Sequence, residues 1–203
     1  EYRAKMNINY IIFQFINQLA GENQYVDFLM VFASKYLSYA MVATICIIFL
    51  LGIVKQNKQD RYGAIHTFLL MVIGLSINAL LGAIFYFPRP FVNHQVHLLY
   101  AHSADSSFPS DHATTSMSMA AGLRWIDKPL SWLFVALSIW IGFSRIYVGH
   151  HYPLDIISSY GIVWIVYFLY HKFLEIKITC IFEAIEQWSL KHITKRISGD
   201  NKH

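Results

Sequence analysis

The sequence predicts an all-α fold: a polytopic bundle with five to six helices in the membrane region, a short N-terminal surface helix and an amphipathic C-terminal tail. Of the 203 residues, 56% are hydrophobic and only 14% are charged, whereas about 25% are charged in an ordinary soluble domain. Long uncharged runs separate the charged residues, and a membrane-spanning helix needs about 20 mostly apolar residues. The composition excludes a disordered chain, and two cysteines far apart in sequence exclude a disulfide framework.

The first predicted element is a short helix at the N-terminal end. We expect Met6 to be the natural start, with residues 1–5 left over from expression and outside the fold. Apolar residues recur at helical spacing over residues 7–20. Because this stretch is too short and too polar to cross a bilayer, it predicts a helix on the membrane surface.

Four uncharged runs then predict membrane spans at 36–54, 62–88, 129–144 and 156–171. A fifth span is predicted over 113–123, within a helix that runs from near Asp111 to about Trp125. This stretch is rich in small residues, which allow helices to pack closely in a membrane. A helical apolar stripe over 174–197, with basic residues at its far end, predicts an amphipathic tail within 174–203. We interpret residues 1–203 as one membrane domain.

The basic residues predict how the chain is oriented. With loop 55–61 inside, 11 of the 16 basic residues fall on the inner side, and the positive-inside rule then places the N-terminus outside and the C-terminus inside. This distribution accounts for the net charge of +4, so no nucleic-acid partner is expected. The 11 inner residues are Lys55, Lys58, Arg61, Arg124, Lys128, Lys172, Lys177, Lys191, Lys195, Arg196 and Lys202.

Two outer segments, 88–112 and 144–155, hold six of the ten histidines and several other groups that titrate or bind anions. Arg89 and Arg145 carry guanidinium forks suited to phosphoryl oxygens. Arg145 ends an uncharged run, and an ionisable residue beside the hydrocarbon indicates function by default. Ser110 stands just before a predicted helix N-terminus, where free N–H groups favour an anion.

The second segment also predicts a nucleophile. Pro153 favours a helix start, which would place Asp155 in the first turn, close to His151. A carboxylate on one imidazole nitrogen fixes the tautomer and frees the other nitrogen to attack. His112 is then available as general acid. Together these residues predict phosphoryl transfer, which depends mainly on positioning and charge stabilisation.

Structural alternatives exist for each of these groups. Arg89 could lie at the lipid headgroups, and Asp111 could be an ordinary helix cap. Arg145 and Asp155 could form a structural ion pair. His94, His97 and His102 fit loop or interface positions better than catalytic ones.

Three motifs resemble the signatures of the type 2 phosphatidic acid phosphatase superfamily over about residues 85–156. The stretch from Ser144 to Asp155 resembles its S-R-x5-H-x3-D signature, and 108–112 resembles P-S-G-H. Pro88-Arg89-Pro90 resembles the end of K-x6-R-P. The surrounding residues look most like the bacitracin-resistance type of bacterial undecaprenyl-pyrophosphate phosphatases.

The resemblance implies an enzyme of the bacterial plasma membrane, with its site facing outside. It would hydrolyse undecaprenyl diphosphate to the monophosphate, recycling the carrier for cell-wall synthesis and conferring bacitracin resistance. His151 would form a phosphohistidine, Asp155 would orient it, and His112 would protonate the leaving lipid phosphate. Bound phosphoryl oxygens would contact Arg89, Ser110, Arg145 and the backbone N–H of Asp111. The family requires no metal or other cofactor, and the predicted partners are the polyprenyl diphosphate and membrane lipids.

Two positions depart from the family pattern. Gly82 stands where the first signature has lysine, so one phosphate-binding cation is missing, and another cation or a neighbouring histidine would have to replace it. Asp111 replaces a glycine and puts a carboxylate beside the phosphate site.

Other functions remain open. A related enzyme could act on phosphatidylglycerophosphate or phosphatidic acid. The outer His and Asp residues could instead serve a zinc- or magnesium-dependent hydrolase. A lipid or phosphate transporter could use the arginines along its pathway, although no repeated half is evident.

Overall fold

The computed structural model describes the backbone of residues 8–200 and the side chains of residues 8–189. Within that part the chain is helical and contains no strand, which confirms the predicted all-α class. The expression remnant expected at 1–5, the side chains of Lys191, Lys195 and Arg196, and Lys202 lie outside the described residues. The helices are α1 (Ile8–Asn17), α2 (Gln24–Phe32), α3 (Ser38–Val54), α4 (Lys58–Ile84), α5 (Pro90–Asn93), α6 (Asp111–Gly122), α7 (Lys128–Tyr147), α8 (Pro153–Phe173) and α9 (Glu175–Asp200).

Four helical segments are long and apolar enough to cross a membrane: Gln24–Val54, α4, α7 and α8. The first joins α2 to α3 through one π-helical turn, Ala33–Leu37. The predicted start of this span at residue 36 is therefore wrong, because the helical segment begins at Gln24. Asp27 and Lys35 interrupt the uncharged run, but both have partners within the fold: Asp27 accepts a hydrogen bond from Tyr147, and Lys35 lies over the ring of Tyr100.

The predicted helix around 113–123 is α6, which contacts α3, α4 and α7. Its 12 residues extend only about 18 Å, so it is shorter than the four spans around it. The small residues allow close contact as expected, since a Cβ added to Gly122 would collide with the side chain of Thr67. Hydrogen bonds replace apolar contacts elsewhere, as between Ser116 and Ser138 at 2.8 Å.

The ends of four helices meet on one side of the bundle. Ser110 caps the N-terminus of α6, and Arg89 occupies the cap position of α5. Helix α7 ends where Gly149 takes a φ of 91°, which turns the chain so that His150 N–H bonds the carbonyl oxygen of Arg145 at 3.0 Å. Pro153 then begins α8. These turns bring both predicted segments, 88–112 and 144–155, to the same end.

A side chain of helix α1 binds the backbone of both segments, 88–112 and 144–155. Asn17 is buried; its amide nitrogen donates to the carbonyl oxygens of His97 (2.9 Å) and Tyr147 (2.8 Å), and its oxygen accepts from His97 N–H at 2.9 Å. Phe13 is also buried, while Ile8 and Phe15 are exposed. An amphipathic helix with an exposed apolar face agrees with the predicted helix on the membrane surface.

The chain divides into two compact units after Tyr167. The second unit contains the last turns of α8 and the whole of α9, which confirms a helix in the predicted tail. Several large apolar side chains of α9 are exposed, as an amphipathic helix requires. They are Ile176, Ile181, Ile185 and Trp188.

Candidate active site

His151 is buried and is held by a hydrogen bond at each ring nitrogen. Its Nδ1 lies 2.8 Å from the carbonyl oxygen of Ser107, and its Nε2 lies 3.0 Å from Nη1 of Arg89. Because a carbonyl oxygen can only accept, Nδ1 carries the hydrogen and donates. Nε2 therefore keeps its lone pair, which accepts from Arg89. This is the tautomer that an attacking Nε2 requires.

Asp155 supports His151 less directly than the sequence predicts. Its Oδ2 is 3.6 Å from Nδ1 of His151, which is longer than a hydrogen bond. The same oxygen accepts from the hydroxyl of Ser107 at 2.6 Å and from Tyr152 N–H at 2.8 Å. The carboxylate thus lies close enough to stabilise charge on the ring, while the backbone of Ser107 fixes the tautomer.

Sequence reasoning missed Ser107. It is fully buried between His151 and Asp155 and contacts both. Its only sequence signal is its place three residues before Ser110, in a polar stretch that reads as a loop. Nothing in that spacing distinguishes it from its exposed neighbours.

Arg89 is a buried residue of the site, which excludes a position at the lipid headgroups. Its Nε donates to Oδ1 of Asp105 at 2.7 Å, and its Nη1 also lies 3.1 Å from the carbonyl oxygen of His150. Asp105 is 59% exposed at its side chain. The ion pair therefore connects the buried guanidinium to an exposed carboxylate in the loop between α5 and α6.

Arg145 is the most deeply buried guanidinium of the site, with 1% of its surface exposed. Its Nη1 donates to Tyr100 at 2.9 Å and to the hydroxyl of Ser34 at 3.1 Å. Its Nε and Nη2 are buried and contact no acceptor among the described residues. An unsatisfied buried donor costs about 1–3 kcal/mol, more when charged, so the pair is suited to an anion. Asp155 is bonded elsewhere, which excludes the structural ion pair with Arg145.

Ser110 and Asp111 begin α6 in different roles. The hydroxyl of Ser110 accepts from Ala113 N–H as the helix cap, so the alternative that Asp111 is the cap is wrong. The backbone N–H of Ser110 donates to Ser159 at 2.8 Å. Asp111 accepts from the amide of Asn78 at 3.0 Å, which pairs the unexpected carboxylate with α4.

His112 follows on the same first turn and lines a cavity of about 350 Å³ between α3, α4 and α6. Its ring meets Tyr39 edge-on, with ring centroids 6.5 Å apart. Most of the cavity wall is apolar. The lining residues are Ser38, Tyr39, Val42, Met71, Leu75, Asp111, His112 and Thr115.

Electrostatic interactions link these groups. Burial lowers the pKa of His151 well below its usual value, and Arg145, Arg89, His150 and His112 lower it further. His151 is therefore neutral near pH 7, as a nucleophile must be. The charges of both arginines and of His112 act on His151, so these residues lie within electrostatic range of it.

The structure also shows the surroundings of the remaining predicted positions. Gly82 faces the segment before α6, since a Cβ there would lie 3.6 Å from the carbonyl oxygen of Phe108. His94 stacks on Tyr10, and His97 bonds Ala20 and Asn17, as the structural alternative expects. Within residues 8–189, no group of three or more His, Cys, Asp and Glu side chains has a geometry that could hold a metal ion.

Comparisons with known proteins show which family the chain resembles. The sequence profile of the PAP2 superfamily matches residues 63–177. Undecaprenyl-diphosphatase BcrC of Bacillus subtilis is 34% identical, over 96% of this chain and 100% of its own length. An undecaprenyl-diphosphatase of Sulfolobus acidocaldarius is 29% identical, over 76% of this chain and 73% of its own. The crystal structure of Aquifex aeolicus LpxE shares the fold, with a TM-score of 0.66 and 20% identity over 85% of this chain and 100% of that chain.

Proposed function

The chain belongs to the PAP2 superfamily, and on this basis we propose that it is a multi-pass membrane phosphatase that hydrolyses undecaprenyl diphosphate to undecaprenyl phosphate and inorganic phosphate. The observation that carries the proposal is the geometry around His151. Its Nε2 holds a lone pair beside Arg89, and two unsatisfied nitrogens of Arg145 serve the same site. The bacterial relative that matches over its whole length bears the name of this activity.

The reaction follows from these positions. Nε2 of His151 attacks the terminal phosphorus, and the bond from that phosphorus to the bridging oxygen breaks. The electron pair leaves with the lipid phosphate. Burial and Arg145 lower the pKa of His112 in the free site, so His112 gains a proton as the charged diphosphate binds and then protonates the departing oxygen. Arg89 and Arg145 hold the non-bridging oxygens as charge develops on them. The ring becomes cationic in the phosphohistidine, and the Asp155 carboxylate, 3.6 Å from Nδ1, stabilises this charge electrostatically.

The second step returns the enzyme to its starting state. His112, now neutral, accepts a proton from a water molecule that attacks the phosphohistidine. The bond between phosphorus and Nε2 breaks, and the electron pair returns to the imidazole. Inorganic phosphate then leaves, and His112 is again protonated. The Ser107 carbonyl keeps Nδ1 protonated throughout, so that Nε2 is regenerated as the attacking atom.

Substrate class follows from the cavity beside His112. A polyprenyl chain must stay in the bilayer while its diphosphate reaches His151. The mostly apolar cavity between α3 and α4 supplies such a route, because it opens between two membrane-spanning helices and ends at the proposed acid. Recycling of the lipid carrier would also lower the amount of bacitracin's target, which supports a role in bacitracin resistance.

The proposed site faces the outer side of the membrane. It lies at the C-terminal end of α4 and the N-terminal end of α6, whereas Lys58, Arg61 and Arg124 lie at the opposite ends of these helices. The positive-inside rule assigns that basic end to the cytoplasm.

The proposal is tested by phosphate release from undecaprenyl diphosphate by the purified protein, with and without excess chelator. We expect full activity in chelator and none in His151→Ala, while His171→Ala, a histidine in the last turn of α8, stays active. Turnover by a folded His151→Ala protein would disprove the mechanism. Preferred release from phosphatidylglycerophosphate or phosphatidic acid would reassign the substrate, and loss of activity in chelator would indicate a metal enzyme.

A further inference from the structure

His102 is a histidine of the site that the reaction above does not use. It lies in the loop between α5 and α6, and its ring meets the ring of His150 edge-on with centroids 4.7 Å apart. The carbonyl oxygen of His150 is the acceptor for Arg89. A single residue, His150, therefore links His102 to the guanidinium of Arg89, which itself binds His151.

The loop also holds the ring of His102 in a defined tautomer. Its Nδ1 lies 3.1 Å from the carbonyl oxygen of Ser103 and 3.3 Å from the Ser103 hydroxyl, which itself donates to Asp105 at 2.9 Å. Since the carbonyl can only accept, Nδ1 carries the hydrogen. Nε2 is left to gain a proton and donate. Asp105 in turn binds Arg89. The contacts therefore lead from His102 through Ser103, Asp105, Arg89 and His150 back to His102.

Several charged groups face His102 from the elements around it. Arg89 comes from the start of α5, Arg145 from α7 and Asp105 from the same loop. His112 of α6 and His150, in the turn between α7 and α8, also interact with it electrostatically. The imidazole therefore interacts electrostatically with both arginines and with the proposed acid.

The site has fewer free donors for a diphosphate than its two arginines suggest. Nε and Nη1 of Arg89 are already bonded to Asp105, His150 and His151. A diphosphate presents several charged oxygens to be bound. We propose that His102 is a further phosphate-binding residue, which gains a proton as the phosphate binds and donates a charge-assisted hydrogen bond from Nε2. This inference rests on the proposed function and names another residue of that site.

The electrostatics give the direction of the proton change. Burial lowers the pKa of His102; the Ser103 hydrogen bond opposes this, Arg89 and Arg145 add to the lowering, and Asp105 opposes it. The free site therefore favours the neutral ring. A bound phosphate dianion offsets the two arginines and favours the cation. Binding then takes up a proton, so the affinity for phosphate falls as the pH rises.

The experiment is calorimetric titration of inorganic phosphate into the purified full-length protein at about pH 6 and about pH 8, for wild type and three variants. His102→Gln should bind about tenfold more weakly than wild type at the lower pH, with a smaller difference at the higher pH. His102→Lys, which stays charged, should bind at least as tightly as wild type at the higher pH. His94→Gln, a stacked histidine near the same loop, should match wild type at both.

At a given pH, phosphate is ionised to the same extent in every titration. The comparison of each variant with wild type therefore cancels the effect of phosphate ionisation on the affinity. Equal affinities for His102→Gln and wild type would overturn the inference. So would equal weakening in His102→Gln and His102→Lys, because that would show that His102 only packs on His150. Phosphate binding is measured without turnover, so a wild type that fails to hydrolyse undecaprenyl diphosphate would disprove the proposed function and leave this test intact.

Discussion

Nη1 of Arg89 donates to Nε2 of His151 across 3.0 Å, so a cation is bonded to the very nitrogen proposed to attack. This bond holds the ring in place and occupies the lone pair of Nε2. An incoming phosphoryl group would offer Arg89 a stronger, charged acceptor. We propose that this exchange of partners frees Nε2 when the substrate is in position.

Arg89→Lys tests this relationship. Lysine keeps the charge but loses the planar fork that reaches Asp105, His150 and the substrate together. We expect kcat/KM for undecaprenyl diphosphate to fall about 100-fold, as when one transition-state donor is lost. Arg61→Lys is the matched control, because Arg61 is a buried arginine bonded to Gly52 at the other end of the bundle. Comparable losses in the two variants would point to general destabilisation instead.

Ser107→Ala tests the role of the Ser107 side chain without removing its backbone carbonyl. The carbonyl that fixes the tautomer of His151 remains, but Asp155 loses the hydroxyl that donates to it at 2.6 Å. We expect kcat to fall about tenfold with KM nearly unchanged, since the lost hydrogen bond is to Asp155 and the proposed phosphate-binding residues are retained. Ser76→Ala removes a hydroxyl that bonds within α4 and should leave both constants unaltered. A rise in KM alone would place Ser107 in substrate binding.

The pH dependence reports the state of the nucleophile. His151 must be neutral to attack, and its pKa is lowered well below the usual value by burial and by Arg145 and Arg89. The neutral fraction therefore stays high as the pH falls through about 6.5, the ordinary histidine value, and is lost only at lower pH. We expect the acid limb of kcat/KM to lie clearly below that value. An acid limb centred on it would contradict a buried, neutral His151.

Gly149→Ala tests the turn that delivers His151. Gly149 has a φ of 91°, and an added Cβ would lie 3.1 Å from the carbonyl oxygen of His97 and 3.4 Å from the amide of Asn17. We expect the free energy of unfolding to fall by roughly 1–3 kcal/mol, with loss of activity as the α1 contact loosens. Gly161→Ala, within α8 and with nothing near its Cβ, should be neutral or stabilising by up to about 1 kcal/mol. Thermal unfolding in detergent measures both, and equal stabilities would refute the expected strain.

Much of the bundle could be predicted because the bilayer restricts which sequences can cross it. The uncharged runs predict α3, α4, α7 and α8, and Pro153 predicts where α8 begins. The start of the first span was missed because Asp27 and Lys35 break the uncharged run. Their tertiary partners, Tyr147 and Tyr100, are more than 60 residues away, and no local pattern reveals them.

The site was predictable to the extent that it lies in short motifs. His151 and Asp155 fall in one stretch, and Arg89 and Arg145 are conspicuous because charge is scarce around them. Ser107 and Asn17 could not be found in this way. Each bonds to residues that are distant in sequence, Ser107 through its own carbonyl to His151 and Asn17 to the backbone of His97, and serine and asparagine in a loop or an amphipathic helix are ordinary.

The π-helical turn at Ala33–Leu37 sets the rotational register between the two halves of the first span. A π turn contains one residue more than the α-helical path, and one residue corresponds to about 100° of rotation about the helix axis. Ser34 meets Arg145 and Asp27 meets Tyr147 only in the present phase. Deleting a single residue from this turn would leave the span long enough for the bilayer, yet would rotate both side chains away from the C-terminal end of α7. The chemistry of the site thus depends on helical phase in a segment that contains none of its reacting atoms.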